Sequence, residues 1–187
     1  MYEKVLMLAS GLSAKQFERK KFVDWTIVTC NNGYRVTPDW DFACFSRDFR
    51  DTIPTPRGTQ RILQEHLIKE VERTFGGQYN TGYSIVLISS YWVLSQMKPK
   101  IMSYLGADMN YTPDANGHTC IYGVGWDIKN RGMSDPDLMA LNHGGCDENY
   151  IGTIYKKFQG EANKRGTYVC NLSDDPNTRL PFPRCGA

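Results

Sequence analysis

The sequence KVLMLASGLS, residues 4–13, is the clearest indication of the fold class of this chain. Residues 4–9 form a short apolar run, typical of a buried strand, and residues 10–13 are small and polar enough for a turn. Ser13, followed three residues later by Gln16, matches the capping box that begins a helix. We therefore predict a strand, a tight turn and a helix, which is the opening unit of an α/β protein.

Strands and helices alternate beyond this unit. Further strands are predicted at residues 26–30, 41–45, 100–105 and 167–172, and helices at residues 57–74, 85–96 and 147–162. Residues 111–147 break the pattern, and their many Gly, Asn and Asp residues indicate a lid-like loop. The 187 residues suit one domain. We predict a single Rossmann-like α/β domain with a mostly parallel sheet and helices on both faces.

Composition excludes several classes of protein. The formal net charge of +2 gives no argument for a nucleic-acid or membrane partner. No apolar segment approaches the roughly 20 residues of a membrane span, and the opening residues do not form a signal peptide. All the cysteines are predicted to be free thiols in a reducing compartment, the cytoplasm: Cys30, Cys44, Cys120, Cys146, Cys170 and Cys185.

Ligands of open parallel sheets bind outside the carboxyl ends of the strands. At the end of the first predicted strand, Gly11 lets the backbone approach a ligand, and the helix beginning at Ser13 points N–H groups at it. A phosphate suits this place, although a plain tight turn explains the same residues.

Two other strand ends carry candidate ligand groups. Asn31 and Asn32 offer amide donors and carbonyl acceptors for a base edge or a ribose hydroxyl, while Asn-Gly is also a common turn. Asp108 suits a metal ion or a hydroxyl, or equally a cap on the turn that follows it.

The loop contains the remaining titratable candidates. Its histidines, His118 and His143, have the side chain best suited to take a proton from a hydroxyl near neutral pH. A competing interpretation is a zinc-binding site. His118 with Cys120 and His143 with Cys146 would together supply four zinc ligands. The spacing of neither pair is characteristic of a known zinc site.

Taken together, these segments resemble the bacterial lipooligosaccharide sialyltransferases that use CMP-sialic acid, and the Rossmann-type proteins around them. Residues 4–13 are similar to that family's opening strand and G-N-G-P-S turn, and residues 30–34 to its C-N-x-x-Y motif. Residues 81–111 are similar to its T-S-G, apolar helix and strand ending in G-x-D-x-Y. His143, with the acidic residues 147–148 behind it, resembles the segment of the general base. Ser10 and Leu12 replace the family's Asn and Pro, so the resemblance leaves the base and the sugar of the donor open.

The resemblance implies a role for each candidate. The residues facing the nucleotide would be Ser10, Gly11, Ser13, Asn31 and Asn32, and Gly82 would lie near it. Tyr111 and Tyr122 would assist departure of the nucleotide phosphate, and His143 would deprotonate the acceptor. Asp108 is the fourth candidate catalytic residue. Such enzymes need no metal and no other cofactor.

The leading hypothesis is a glycosyltransferase that moves a sugar from a CMP- or UDP-linked donor to a hydroxyl acceptor. The acceptor would be a glycan or, by analogy with small phage-encoded transferases, a modified DNA base. The sequence also allows the protein to be an oligomer. A nucleotide-dependent pyrophosphokinase-type transferase and a non-catalytic nucleotide- or zinc-binding module are the alternatives.

Overall fold

A single open sheet of six parallel strands organises the chain. The computed structural model describes residues 2–47, 60–77, 84–125, 129, 132 and 148–186. The strands are β1 (Lys4–Leu8), β2 (Thr26–Cys30), β3 (Phe42–Phe45), β4 (Gln60–Leu63), β5 (Ile101–Leu105) and β6 (Tyr168–Asn171). Their order in the sheet is β4-β3-β2-β1-β5-β6, and every neighbouring pair is parallel. The predicted α/β, Rossmann-like fold class is confirmed.

Among the described residues, three α-helices and three short 3₁₀ helices with defined bounds connect the strands. The α-helices are α1 (Gln64–Phe75), α2 (Ile85–Gln96) and α3 (Glu148–Lys164). The 3₁₀ helices are η1 (Leu12–Gln16), η2 (Arg19–Phe22) and η3 (Asn31–Arg35). None of the helices within the described ranges is long and apolar enough to cross a membrane.

Strand alternation divides the core into two layers. Val5, Met7 and Val28 point to one face of the sheet, where they pack with residues of α1, α2 and α3. Leu6 and Leu8 point to the opposite face, where η1, η2 and η3 supply much of the cover. We call these the α face and the 3₁₀ face. Residues 86–95 of α2 are all buried, as a helix that is apolar all round requires.

The predicted helix at residues 57–74 is wrong at its beginning. Gln60–Leu63 is the edge strand β4, paired with β3, and the helix begins only at Gln64. Leu67 and Val71 are fully buried, as their helical spacing predicts, but Leu63 is 46% exposed. Pairing with β3 therefore overrides the helical pattern before Gln64.

The capping box predicted at Ser13 does not form. The helix that follows β1 is a five-residue 3₁₀ helix whose N-cap is Gly11, with no side-chain cap. The hydroxyl of Ser13 hydrogen-bonds to residues at the end of β5 instead.

The prediction that all cysteines are free thiols is also wrong. Cys170 and Cys185 form a disulfide, whereas Cys30, Cys44 and Cys120 are free and buried, and Cys146 lies outside the described residues. The bridge ties the tail after β6 to the strand itself. Leu180 and Phe182 of this tail are buried in the core of the α face, so the tail is part of the packed structure.

Candidate functional site

The strand order reverses at β1, which places the candidate site. From β1 the chain builds β2, β3 and β4 on one side, then returns to place β5 and β6 on the other. The carboxyl ends of β1 and β5 therefore flank the topological switch point, where ligands bind in open α/β sheets.

The turns that follow β1 and β5 pack directly against each other. The N–H of Gly11 donates to the carbonyl of Gly106 at 2.7 Å. A Cβ added to Gly11 would lie 2.6 Å from Oδ2 of Asp108, and one added to Gly106 would collide with the carbonyl of Ala9. Gly106 also has a φ of +72°, which favours glycine. The close approach for which glycine is needed at position 11 is thus made by the β5 turn of the chain itself.

Asp108 and Ser13 join these two turns. Asp108 is 3% exposed. Its Oδ2 accepts the N–H of Ser13 at 3.0 Å, and its Oδ1 accepts the Ser13 hydroxyl at 2.6 Å. The same hydroxyl oxygen accepts the N–H of Gly106 at 2.8 Å. A carboxylate therefore sits at the amide where the sequence predicts a phosphate.

A second cluster lies at the ends of β1 and β2, and we call Ser10, Asn32 and Tyr122 the polar cluster. The Ser10 carbonyl accepts the N–H of Ile121 at 3.0 Å, and Nδ2 of Asn32 donates to the Tyr122 hydroxyl at 3.1 Å. Desolvation raises the pKa of Tyr122 to about 12 although the residue is 36% exposed, the neighbouring Cys120 adds to the rise, and hydrogen bonds with Asn32 and Ser10 partly oppose it. A phenol is neutral near pH 7 even at its ordinary pKa of 10, so the Tyr122 hydroxyl has a proton to donate.

Asn32 has an unused acceptor in this cluster. Its Oδ1 is buried and has no hydrogen-bond partner among the described residues. Most buried polar atoms in proteins are hydrogen-bonded, so an unsatisfied acceptor in a candidate site indicates a binding role.

Asn31, by contrast, is engaged in the fold. Its Oδ1 accepts the backbone N–H of Ser46 at 2.8 Å and the Ser46 hydroxyl at 3.2 Å, which ties the end of β2 to the end of β3. Its φ of +45° is a left-handed conformation that Asn tolerates better than most residues.

Arg35 is a site residue that the sequence prediction missed. Its guanidinium lies over the rings of Tyr34 and Tyr122, at 5.8 Å and 5.1 Å from their centroids, and its Nε donates to the Tyr34 hydroxyl at 3.3 Å. One signal in the sequence could have found it, because Arg35 is the basic residue of the turn that begins at Asn31.

The two candidate tyrosines lie in different surroundings. Tyr111 packs against the core of the α face, and its hydroxyl points to Sδ of Met109 at 3.9 Å. Tyr122 instead contacts Asn32 and Arg35. Tyr122 thus belongs to the polar cluster, whereas the described contacts of Tyr111 lie on the α face.

An ion pair joins the loop between Tyr111 and Tyr122 to η1. Nζ of Lys15 lies 2.8 Å from Oδ2 of Asp114, whose Oδ1 accepts the N–H of His118 at 2.9 Å. The hydrogen bond from Lys15, followed by that from the His118 backbone, lowers the pKa of Asp114 to about 2. This bridge anchors the loop to η1.

Gly82, His143 and Cys146 lie outside the described residues. Within the described part of the chain, no three His, Cys, Asp or Glu side chains gather closely enough to hold a metal ion.

Comparison of the chain with protein-family models, with curated proteins and with solved structures finds no match. The geometry at the carboxyl ends of the strands is therefore the basis for the function proposed below.

Proposed function

We propose that this chain binds a nucleotide at the carboxyl ends of β1 and β2 and acts as a metal-independent glycosyltransferase. The observation that carries the proposal is the polar cluster. Ser10, Asn32 and Tyr122 come from three separate segments and meet beside the switch point, and none of the described residues satisfies the buried acceptor of Asn32. An amide acceptor and a neutral phenol are groups that bind a nucleoside.

The proposed reaction is a substitution at the sugar. The acceptor oxygen forms a bond to the anomeric carbon as the bond from that carbon to the phosphate oxygen breaks, and the nucleotide leaves with the electron pair. Tyr122, whose phenol is protonated at neutral pH, donates a hydrogen bond to the leaving phosphate. In this proposal His143, the candidate general base from the sequence, takes the proton of the attacking acceptor hydroxyl.

The resemblance to sialyltransferases supports a CMP- or UDP-linked sugar as the donor and a hydroxyl of a glycan or modified base as the acceptor. In this proposal Asp108 holds the site together through Ser13, because both of its oxygens accept hydrogen bonds from that residue.

We also propose that the chain works in the cytoplasm. The free thiols of Cys30, Cys44 and Cys120 fit a reducing compartment, whereas the Cys170–Cys185 disulfide fits an oxidising one. Alkylation of intact cells before lysis, followed by mass analysis, tests this point. If the chain works in the cytoplasm, the reducing environment should open the Cys170–Cys185 bridge and Cys185 should be alkylated, whereas protection of Cys185 would contradict the cytoplasmic location.

Nucleotide binding is tested first by thermal shift with CMP, UDP, GDP and ATP, each with Mg²⁺ or with EDTA. The proposal expects stabilisation by CMP or UDP in EDTA. Stabilisation by ATP only with Mg²⁺ would indicate phosphoryl or pyrophosphoryl transfer instead, and no stabilisation by any nucleotide would contradict the proposal.

Transfer is tested by release of CMP from CMP-sialic acid, or of UDP from UDP-glucose, in EDTA. His143→Ala should slow release about 10²–10⁴-fold while the affinity for CMP or UDP stays within about twofold of the wild type. Asn163→Ala is the matched control, because Asn163 is an exposed residue of α3 before β6, at the opposite end of the strands. Full activity of the His143 variant would remove that residue from the mechanism.

A further inference from the structure

A nucleotide at the proposed site carries a phosphate that needs hydrogen-bond donors. The backbone N–H of Ser13, which the sequence predicts to bind this phosphate, is already hydrogen-bonded within the fold. The carboxylate of Asp108 accepts the Ser13 N–H at 3.0 Å. A phosphate at the same amide would displace or face that carboxylate, and like charges at contact distance repel. The anion must therefore be bound by another group at this edge of the sheet.

The group that binds the anion should be a basic side chain that contacts the polar cluster. Arg35 lies over the ring of Tyr122, which is itself hydrogen-bonded to Asn32. Arg35 is thus the basic residue in direct contact with the polar cluster.

The backbone holds Arg35 close to β1. It is the last residue of η3, the turn that continues β2. A Cβ added to Gly33 in the same turn would collide with the carbonyl of Leu8 at the end of β1. This close packing fixes the turn against the strand whose end flanks the switch point.

The charge of Arg35 acts on the Cys120 thiol, which lies beside the polar cluster. Burial raises the pKa of this thiol, and hydrogen bonds with Tyr122, followed by the positive charges of Arg35 and Lys15, oppose the rise. The guanidinium is therefore close enough to favour negative charge at this place.

We infer that Arg35 is the phosphate-binding residue of the site, positioned for that role by the rings of Tyr34 and Tyr122. This inference rests on the proposed function. Stacking uses the faces of a guanidinium, while its N–H groups lie in its plane and are directed outward. A phosphate approaching in that plane receives charge-assisted, often paired, hydrogen bonds. Asn32, which shares the Tyr122 contact, then lies on the nucleoside side of the ligand.

The test separates the phosphate from the nucleoside. Isothermal titration calorimetry measures the affinities for CMP and cytidine, UMP and uridine, and AMP and adenosine. For the pair that binds, the wild type should prefer the monophosphate by about tenfold or more, the effect of one to two charge-assisted hydrogen bonds. Arg35→Gln should keep its nucleoside affinity within about twofold and lose most of the preference for the monophosphate.

Arg165→Gln is the matched control. Arg165 is also a guanidinium over an aromatic ring, 4.6 Å from the centroid of Phe75, but it follows α3 at the far end of the strands. This variant should keep the wild-type preference. Arg35→Lys should recover part of it, since an ammonium keeps the charge but not the planar geometry.

Each other outcome has a distinct meaning. An unchanged monophosphate preference in Arg35→Gln would overturn the inference and leave the nucleotide site standing. Equal loss of nucleoside and monophosphate affinity would make Arg35 a structural residue and would also overturn it. Absence of binding by every nucleoside monophosphate to the wild type would overturn the proposed function and this inference together.

Discussion

Ser13→Ala should destabilise the protein by about 3 kcal/mol, because the Ser13 hydroxyl joins the turns after β1 and β5. The substitution removes the 2.6 Å hydrogen bond to Oδ1 of Asp108, and bonds to charged groups contribute about 1.5–3 kcal/mol. It also leaves the N–H of Gly106 without its 2.8 Å acceptor, and an unpaired buried donor costs about 1–3 kcal/mol. The two ranges sum to about 2.5–6 kcal/mol, and because one hydroxyl makes both bonds we expect a loss of about 3 kcal/mol, near the lower end of that sum.

Urea denaturation followed by circular dichroism measures this loss, provided that the m-value is unchanged. Ser95→Ala is the control, because Ser95 is buried and its hydroxyl makes a 2.8 Å bond to the carbonyl of Trp92. It should cost about 1 kcal/mol. A double-mutant cycle of Ser13→Ala with Asp108→Ala should give a coupling energy of about 2 kcal/mol. A loss below about 1 kcal/mol for Ser13→Ala, or additive effects in the cycle, would refute the reasoning.

Three further predictions follow from the described contacts. Reduction by a dithiol should lower the free energy of unfolding by about 3 kcal/mol, since Cys170 and Cys185 are 15 residues apart in sequence. Cys185→Ser should show the same loss and no further change on reduction. A wild-type protein whose stability is unaffected by reduction would contradict this prediction. Tyr122→Phe should leave the tyrosinate absorbance at pH 10 unchanged, because burial raises the pKa of Tyr122 from 10 to about 12; a decrease would show that its hydroxyl is solvated. The stabilisation from the Lys15–Asp114 ion pair should be complete above the unfolded pKa of Asp114, 3.8, and should be lost as the pH falls toward its folded pKa of about 2. Lys15→Gln should remove most of this acid dependence in urea titrations. The same pH profile in the variant and the wild type would contradict the assignment.

The strands and helices were predictable where one local pattern decides the structure. β2 is a β-branched run, and α2 is an apolar run between a capping serine, Ser84, and Pro99; both have the predicted bounds. β4 was not predictable in this way, because its residues continue the helical spacing of α1 and become a strand through pairing with β3.

The candidate site was predictable in position but not in its contacts. Parallel strands bring their carboxyl ends to one edge, so Ser10, Asn32 and Asp108 could be assigned to that edge from the sequence. The partners of these side chains depend on how the loop after β5 packs, which no local pattern specifies. Asp108 binds Ser13 rather than facing outward, and Tyr122 reaches Asn32 across 90 residues. Arg35 was missed for the same reason, since its importance comes from the ring of Tyr122 beneath it.

Nucleotide binding at the carboxyl ends of β1 and β2 can be located by a map of backbone amide shifts on addition of CMP. We expect shifts concentrated at Ser10, at η3 and at Tyr122, with little change at the opposite ends of the strands, near Lys4 and Ile101. Saturation of the same shifts by UMP or UDP would extend the assignment to uridine nucleotides. Shifts confined to the opposite ends of the strands, or no shifts with CMP, UMP or UDP, would show that no nucleotide binds at this place.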